Sequence, residues 1–539
     1  MAVGKATPAF IVFLLFSALY CGAQEREFFI TFTDKKNSKY SSDRPEEFLS
    51  YKSIERRRKQ RIPLTEADLP VSSAYCDSLA RRNIKIIYTS RWLNGALVSS
   101  DSSTISKLSF RGLDNIANKS RRVGGHSFLT DGATTDSEDT LYGDSYAQVS
   151  MLSGHLMHKH GFEGQGRLIA IIDGGFLKLD KLSHFDNLTK TGKIIATKDF
   201  VDREDDVYDD SEHGTLVLSV LGGYTKGELI GMAYNANYLL LRSESTNYES
   251  IFEEIYWSIA AEYADSAGAD IINSSLGYNT FDDPKEDHKY EQLNGKTTII
   301  TRAAEQAANV GMLVVTSQGN DGNRPWKYLV APADAPSVLA VGAVDVDKEV
   351  AGFSSVGPTA DGRYKPDVAA MGDNLKIAFS NNTFGFGSGT SFSAPMIAGL
   401  AAGIWQSMPG LTAKQLRESI KRSGSQYHAP DYRSGFGIPN FLRTASITEL
   451  IENQNTQIYL SPNMVYDRNP ELFANSAFVD SLGDVKVYNV NGVLLTQFSL
   501  QIYPGINTIP FNFAGLSKGL YYVKVSTKKL EISQKVVVQ

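Results

Sequence analysis

The 539-residue chain has only two cysteines, Cys21 and Cys76, which excludes a disulfide-stapled architecture. It has no excess of positive charge. With 54 Lys and Arg against 60 Asp and Glu, the net charge is −6, and nucleic acid held by phosphate attraction is not an expected partner. Beyond the first 20 residues it has no apolar run near the roughly 18 residues needed to span a bilayer. It also lacks the composition of a disordered or collagen-like chain: 42% of residues are hydrophobic, 21% charged and 11% aromatic, as in ordinary folded protein. One core rarely serves more than about 250–300 residues, so two to four domains are expected.

Lys5, the apolar run Ala9 to Leu19 and the small-residue exit Cys21-Gly22-Ala23-Gln24 read as a secretory signal over residues 1–23. Cleavage after Ala23 is preferred to lipid attachment at Cys21, because Tyr20 is bulky where a lipoprotein signal has a small residue. Residues 24–122 read as a small α+β unit with strands at Glu27–Phe32 and Ile84–Tyr88. A helix is expected over Pro45–Lys59, with Phe48, Tyr51 and Ile54 on one face and Arg56, Arg57, Arg58 and Lys59 complementing its C-terminal dipole. Residues 24–140 carry a net +4 and those after 140 a net −11, so a basic front precedes an acidic body and the two are candidate partners. Residues 123–144 read as a linker, because Gly124 to Tyr142 is rich in Gly, Ser, Thr and Asp.

Over residues 145–445, all-apolar strands alternate with amphipathic helices. Leu168–Ile172, Tyr238–Leu241, Ile271–Ser274, Met312–Val315 and Val338–Val341 are the strands; Ile251, Ile255, Ile259 and Tyr263 recur at helical spacing before the stop at Gly268. This predicts an α/β fold, a doubly wound parallel sheet covered on both faces. Residues 456–539 change character. Val485–Val490 alternates with period two, the turn signal Asn491-Gly492 follows, and Tyr521–Val525 and Lys535–Val538 complete an all-β module, expected to be a sandwich.

Four elements of the middle segment carry chemistry. Asp173 follows a parallel strand and precedes Gly174-Gly175, at the sheet end where α/β folds place their sites. His213-Gly214-Thr215 opens a helix, and Gly214 permits close approach of another backbone. The acidic run before it (Asp202, Glu204, Asp205, Asp206, Asp209, Asp210 and Glu212) would raise the histidine pKa if it lies close; calcium there is left open, since no loop spacing compels it. Asn320 ends the strand segment Val314–Ser317, where its amide can donate to a developing oxyanion. Gly387-Ser388-Gly389-Thr390-Ser391 delivers a serine to a helix N-terminus, whose free N–H groups bind anions. The Gly-Lys-Ser/Thr ending of a phosphate loop is missing.

Asp173, His213, Asn320 and Ser391, in that order, resemble the subtilisin-like (S8, subtilase) serine proteases. Ser274-Ser275-Leu276-Gly277 is similar to that family's substrate-binding strand, and Lys365-Pro366-Asp367-Val368 precedes the serine segment as in the family. The resemblance implies that Ser391 attacks the peptide carbonyl, His213 carries the proton, Asp173 holds the imidazole, and the Ser391 N–H with Asn320 binds the oxyanion. Ser274, Leu276, Gly277 and Val330 are the implied substrate-binding residues. Val330 stands where many members have Gly, which implies a pocket for small or medium apolar P1 residues.

The flanks carry resemblances too. Residues 24–122, with Trp92-Leu93-Asn94-Gly95, look like a subtilase propeptide, a folding template and inhibitor of its own enzyme; Arg121-Arg122 is a candidate processing point. The tail resembles the C-terminal sorting domain of type IX secretion, with Ser461-Pro462-Asn463 in place of the expected Asn-Pro. The expected protein is a monomeric endopeptidase made as a zymogen and exported to the surface or medium. Its substrates are proteins or peptides, and its partners are its propeptide and the type IX machinery. Its chemistry needs no cofactor, and a metal site is not expected beyond the calcium left open. An inactive surface-binding scaffold and a di- or tripeptidyl peptidase are the alternatives. Cys21 would leave with the signal and Cys76 with the propeptide.

Overall fold

The computed structural model describes residues 25–36, 38–110, 112–118, 140–445 and, in the tail, 457–461, 464–465, 471–476, 481–502, 505–510, 515–527 and 531–538. The expected signal, Arg121-Arg122 and most of the expected linker lie outside them.

The N-terminal unit is an antiparallel sheet of β1 (Arg26–Phe32), β2 (Lys85–Ser90), β3 (Gly95–Ser100) and β4 (Leu113–Asn118), in the order β2-β3-β1-β4. Alternation along β1 puts Phe28, Ile30 and Phe32 into the unit's own core. Phe29 points the other way and joins a core of the middle domain together with Leu97 of β3. The expected helix is shorter than the apolar pattern suggests: a 3-10 turn at Pro45–Glu47 precedes α1 (Tyr51–Gln60), capped by Ser50. Its buried face is also not the expected one. Tyr51 is 77% exposed, whereas Arg56 and Arg57 are 6% and 2% exposed. The guanidinium groups are buried against the middle domain, which supplies the carboxylate that makes this tolerable.

That domain holds a seven-stranded parallel sheet: β5 (Leu168–Asp173), β6 (Ile194–Asp199), β7 (Asn237–Arg242), β8 (Ile271–Ser274), β9 (Leu313–Ser317), β10 (Leu339–Val344) and β11 (Val368–Met371), ordered β11-β10-β9-β8-β5-β7-β6. Central β5 is buried throughout. Its Ile169 and Ile171 enter one core with α2 (His213–Gly222) and α5 (Thr390–Ser407). Its Leu168, Ala170 and Ile172 enter the other with α3 (Ile251–Ala267) and α4 (Ile299–Asn309). A strand buried on both faces needs no polar alternation, which is why these segments read as continuous apolar runs. The tail forms a five-stranded and a three-stranded sheet. Val485, Val487, Val523, Val525, Val536 and Val538 pack together in the first.

Candidate active site

Asp173 ends β5 at the carboxyl edge of the sheet and is fully buried. Its Oδ1 accepts from the Gly174 N–H at 2.8 Å and lies 2.7 Å from His213 Nδ1. His213 is the first residue of α2, and Gly214 lets that helix dock on the Asp173 turn. The Gly214 N–H donates to the Gly175 carbonyl at 3.0 Å, and a Cβ there would lie 2.4 Å from that oxygen. Burial opposes charge on the His213 ring. The Asp173 carboxylate, by charge and hydrogen bond, and Glu244 by charge outweigh it and raise the ring from 6.5 to about 9.

The acidic run is not the source of that shift. Asp202 and Asp210, with Asp199, surround the buried Arg242 guanidinium, and Asp205 pairs with Lys198 at 2.8 Å. An internal arginine thus absorbs charge that the local sequence suggests is aimed at the histidine.

Ser391 is the second residue of α5, and the Phe392 ring lies 6.5 Å from the His213 ring. Its Oγ donates to the Ser275 carbonyl at 3.3 Å, while Ser275 Oγ donates to the Ser391 carbonyl at 2.8 Å. The second bond has a local cause. Pro395 lies inside α5, beyond its first turn, and its missing N–H leaves the Ser391 carbonyl without its helical donor. Ser275 belongs to the Ser274–Gly277 motif, but the sequence assigns it no role of its own.

Asn320 Oδ1 accepts from the Thr390 N–H at 2.9 Å and Thr390 Oγ1 at 3.0 Å. With its oxygen so occupied, the Asn320 amide presents its N–H groups elsewhere. A Cβ at Gly389 would lie 3.8 Å from both Asn320 Nδ2 and the Ser391 backbone nitrogen. The two donors therefore border one gap at the helix N-terminus. An oxygen that gains negative charge there would meet two N–H groups and the helix dipole.

The four substrate-strand candidates divide. Ser274 turns away from the gap: its Oγ accepts from Trp257 Nε1 at 2.9 Å within the core. Leu276 is buried in the same core. Gly277 and Val330 face each other, since a Cβ on Gly277 would meet Val330 Cγ2 at 2.2 Å. The backbone pairing Tyr278↔Ala331 holds the two segments side by side. Among the described residues, no group of three or more His, Cys, Asp or Glu side chains could hold a metal ion.

Residues 164–437 match the Subtilase family, residues 27–124 the Peptidase S8 propeptide domain, Bacteroidota, and residues 471–539 the Secretion system C-terminal sorting domain. The chain belongs to the subtilase family. It is a subtilisin-like serine protease made as a zymogen with its own propeptide, and its type IX sorting tail directs it to the cell surface or outside. Serine protease AprX of Bacillus subtilis (strain 168) is 29% identical over 322 residues, 54% of this chain and 68% of that protein. Subtilisin NAT of Bacillus subtilis subsp. natto is 30% identical over 315 residues, 56% of this chain and 73% of that protein. A crystal structure of MycP1 with the N-terminal propeptide removed aligns with 56% of this chain and 96% of its own, at 24% identity and a TM-score of 0.44.

Proposed function

We propose that the mature enzyme is a secreted endopeptidase that works through an acyl-enzyme on Ser391. His213 takes the Ser391 proton and returns it to the leaving amine, Asp173 orients the ring and stabilises the imidazolium, and the Ser391 N–H with Asn320 Nδ2 receives the oxyanion. The observation that carries this reading is the 2.7 Å Asp173–His213 contact beside the helix start that bears Ser391. Catalysis begins with rotation of Ser391 Oγ away from the Ser275 carbonyl and toward the imidazole; resting enzymes often hold such bonds long. The chemistry requires no cofactor. Export begins with removal of residues 1–23.

A serine-directed fluorophosphonate tests the reading. The matured chain is expected to be labelled on Ser391 and nowhere else. A correctly matured chain that takes no label would mark it as an inactive scaffold.

The pH profile follows from the His213 shift. Only the neutral ring can accept the Ser391 proton, and a raised pKa delays deprotonation to higher pH. The rising limb of kcat/KM is therefore expected above the ordinary 6.5 and toward about 9. Glu244→Gln removes one of the charges that raise it and moves the limb down. An unshifted limb in both proteins would refute this.

Val330 fills space beside Gly277 and lies 3.1 Å from where a Cβ on Gly319 would stand. Small or medium apolar P1 residues are expected in a peptide library. Val330→Gly should improve cleavage after Phe by about tenfold or more, the scale of a hydrophobic pocket change. Strong wild-type cleavage after Arg or Phe would contradict the assignment.

A further inference from the structure

β7 ends at Arg242, which pairs in register with Asp173, and the next N–H, that of Ser243, donates to the Asp173 carbonyl at 3.0 Å. Glu244 therefore leaves the sheet immediately beside the catalytic acid. A Cβ on Gly174 would lie 3.0 Å from Glu244 Oε2, so this carboxylate lies over the turn that follows Asp173 and acts on His213 by charge. Glu244 is partly exposed, and among the described residues no hydrogen bond or ion pair reaches it. The guanidinium nearest in sequence, on Arg242, is occupied by Asp199, Asp202 and Asp210.

Two further carboxylates feel the charge of Glu244. Glu253 is satisfied by the Ser245 and Ser250 N–H groups at 2.7 and 2.9 Å, whereas among the described residues no such donor reaches the Glu249 side chain. Burial and the charge of Glu244 push Glu249 up to about 9. On the segment that continues from Ser275, Tyr278 is fully buried, and its hydroxyl has no partner among the described residues. It lies in the field of Glu244, Glu253 and Glu249. Buried oxygens of this kind are normally partnered. Of these groups, Glu244 is the one that lies over the Asp173 turn and acts on His213.

We propose that Glu244 makes the subsite for the substrate residue preceding P1, the P2 position, selective for a lysine or arginine side chain. The inference rests on the endopeptidase reading above. An extended peptide projects successive side chains to opposite faces. With P1 directed into the Val330–Gly277 pocket, P2 emerges on the side of His213 and Glu244. A cationic P2 side chain pairs with the Glu244 carboxylate through a charge-assisted hydrogen bond.

The test uses the full chain after maturation and peptide substrates that differ only at P2. Arg at P2 is expected to exceed Leu in kcat/KM by about 10- to 100-fold, the range for a hydrogen bond to a charged group, with Glu below Leu. In Glu244→Gln the Arg/Leu ratio should fall to about one. The ratio cancels any effect of the substitution on His213, and retained cleavage of the Leu peptide reports an intact fold. An Arg/Leu ratio of one in the wild type, or a ratio preserved in both Glu244→Gln and Glu244→Ala, overturns the inference while the protease stands. A matured chain that neither cleaves any peptide nor takes the serine-directed label overturns the endopeptidase reading, and this inference with it.

Discussion

Replacing Ser391 with alanine is expected to lower turnover about 10⁶-fold, the loss seen when subtilisin loses its serine. Asn320→Ala should cost only about 10²–10³-fold, as for the corresponding donor in subtilisin. The two changes remove different things. Without Ser391 Oγ there is no nucleophile and the acyl-enzyme cannot form, and the residual rate comes from binding and the oxyanion donors alone. Without Asn320 Nδ2 the Ser391 N–H and the helix N-terminus remain. Asn320 also anchors Thr390 through two bonds to its Oδ1, so its removal loosens the helix start as well as deleting a donor. Active-site-normalised kcat on a peptide anilide measures both. Equal, small losses would sink the assignment of both residues.

The second large effect lies where propeptide and protease meet. Asp265 on α3 is fully buried and receives Arg56, Arg57 at 2.8 Å and Arg91 at 2.6 Å, with Ser53 Oγ at 3.2 Å. Burial favours the neutral acid, but the three guanidinium groups hold its carboxyl far below the usual carboxylate range. Arg57 is shared with Asp68 of the propeptide at 2.7 Å, and Arg56 also bonds the Ala269 and Val310 carbonyls. Removing one partner of a buried ion pair costs about 3–5 kcal/mol, because the other charge stays buried and uncompensated. Asp265→Asn is therefore expected to weaken retention of the cleaved propeptide about 10²- to 10³-fold or more. The rate at which peptidase activity appears after processing measures this release. Arg58, paired among the described residues with Glu55 on its own helix and largely exposed, is the control, and Arg58→Ala should leave release unchanged. Release unaffected by Asp265→Asn would show that the charge cluster does not hold the two parts together.

The proposed catalytic constellation is legible in the chain because each member is announced locally. Asp173 follows an all-apolar strand, His213 and Ser391 open helices, and glycines stand beside each. The parallel sheet was equally open to reading, since burial on both faces leaves short apolar runs with no polar alternation. The interface residues had no such signal. In α1 the apolar periodicity pointed to Tyr51 and Ile54, yet the arginines are buried, because their counter-charge lies on α3, more than 200 positions away. For the same reason the acidic run beside His213 suggests a field on the ring that the structure instead directs to Arg242. The role of Ser275 has no local signal either, because it depends on a carbonyl freed by Pro395 in a distant segment.

What the amino-acid sequence determined by itself was the set of elements whose cause is local: strand burial, helix starts, tight turns, and the ordered residue types that acyl transfer requires. The tertiary structure decided which charges are neutralised, which helix face is buried and which oxygens border the reaction gap. Those outcomes depend on pairs brought together only by folding. A carboxylate's field is set by whichever cation packs against it, and sequence spacing carries no record of that distance.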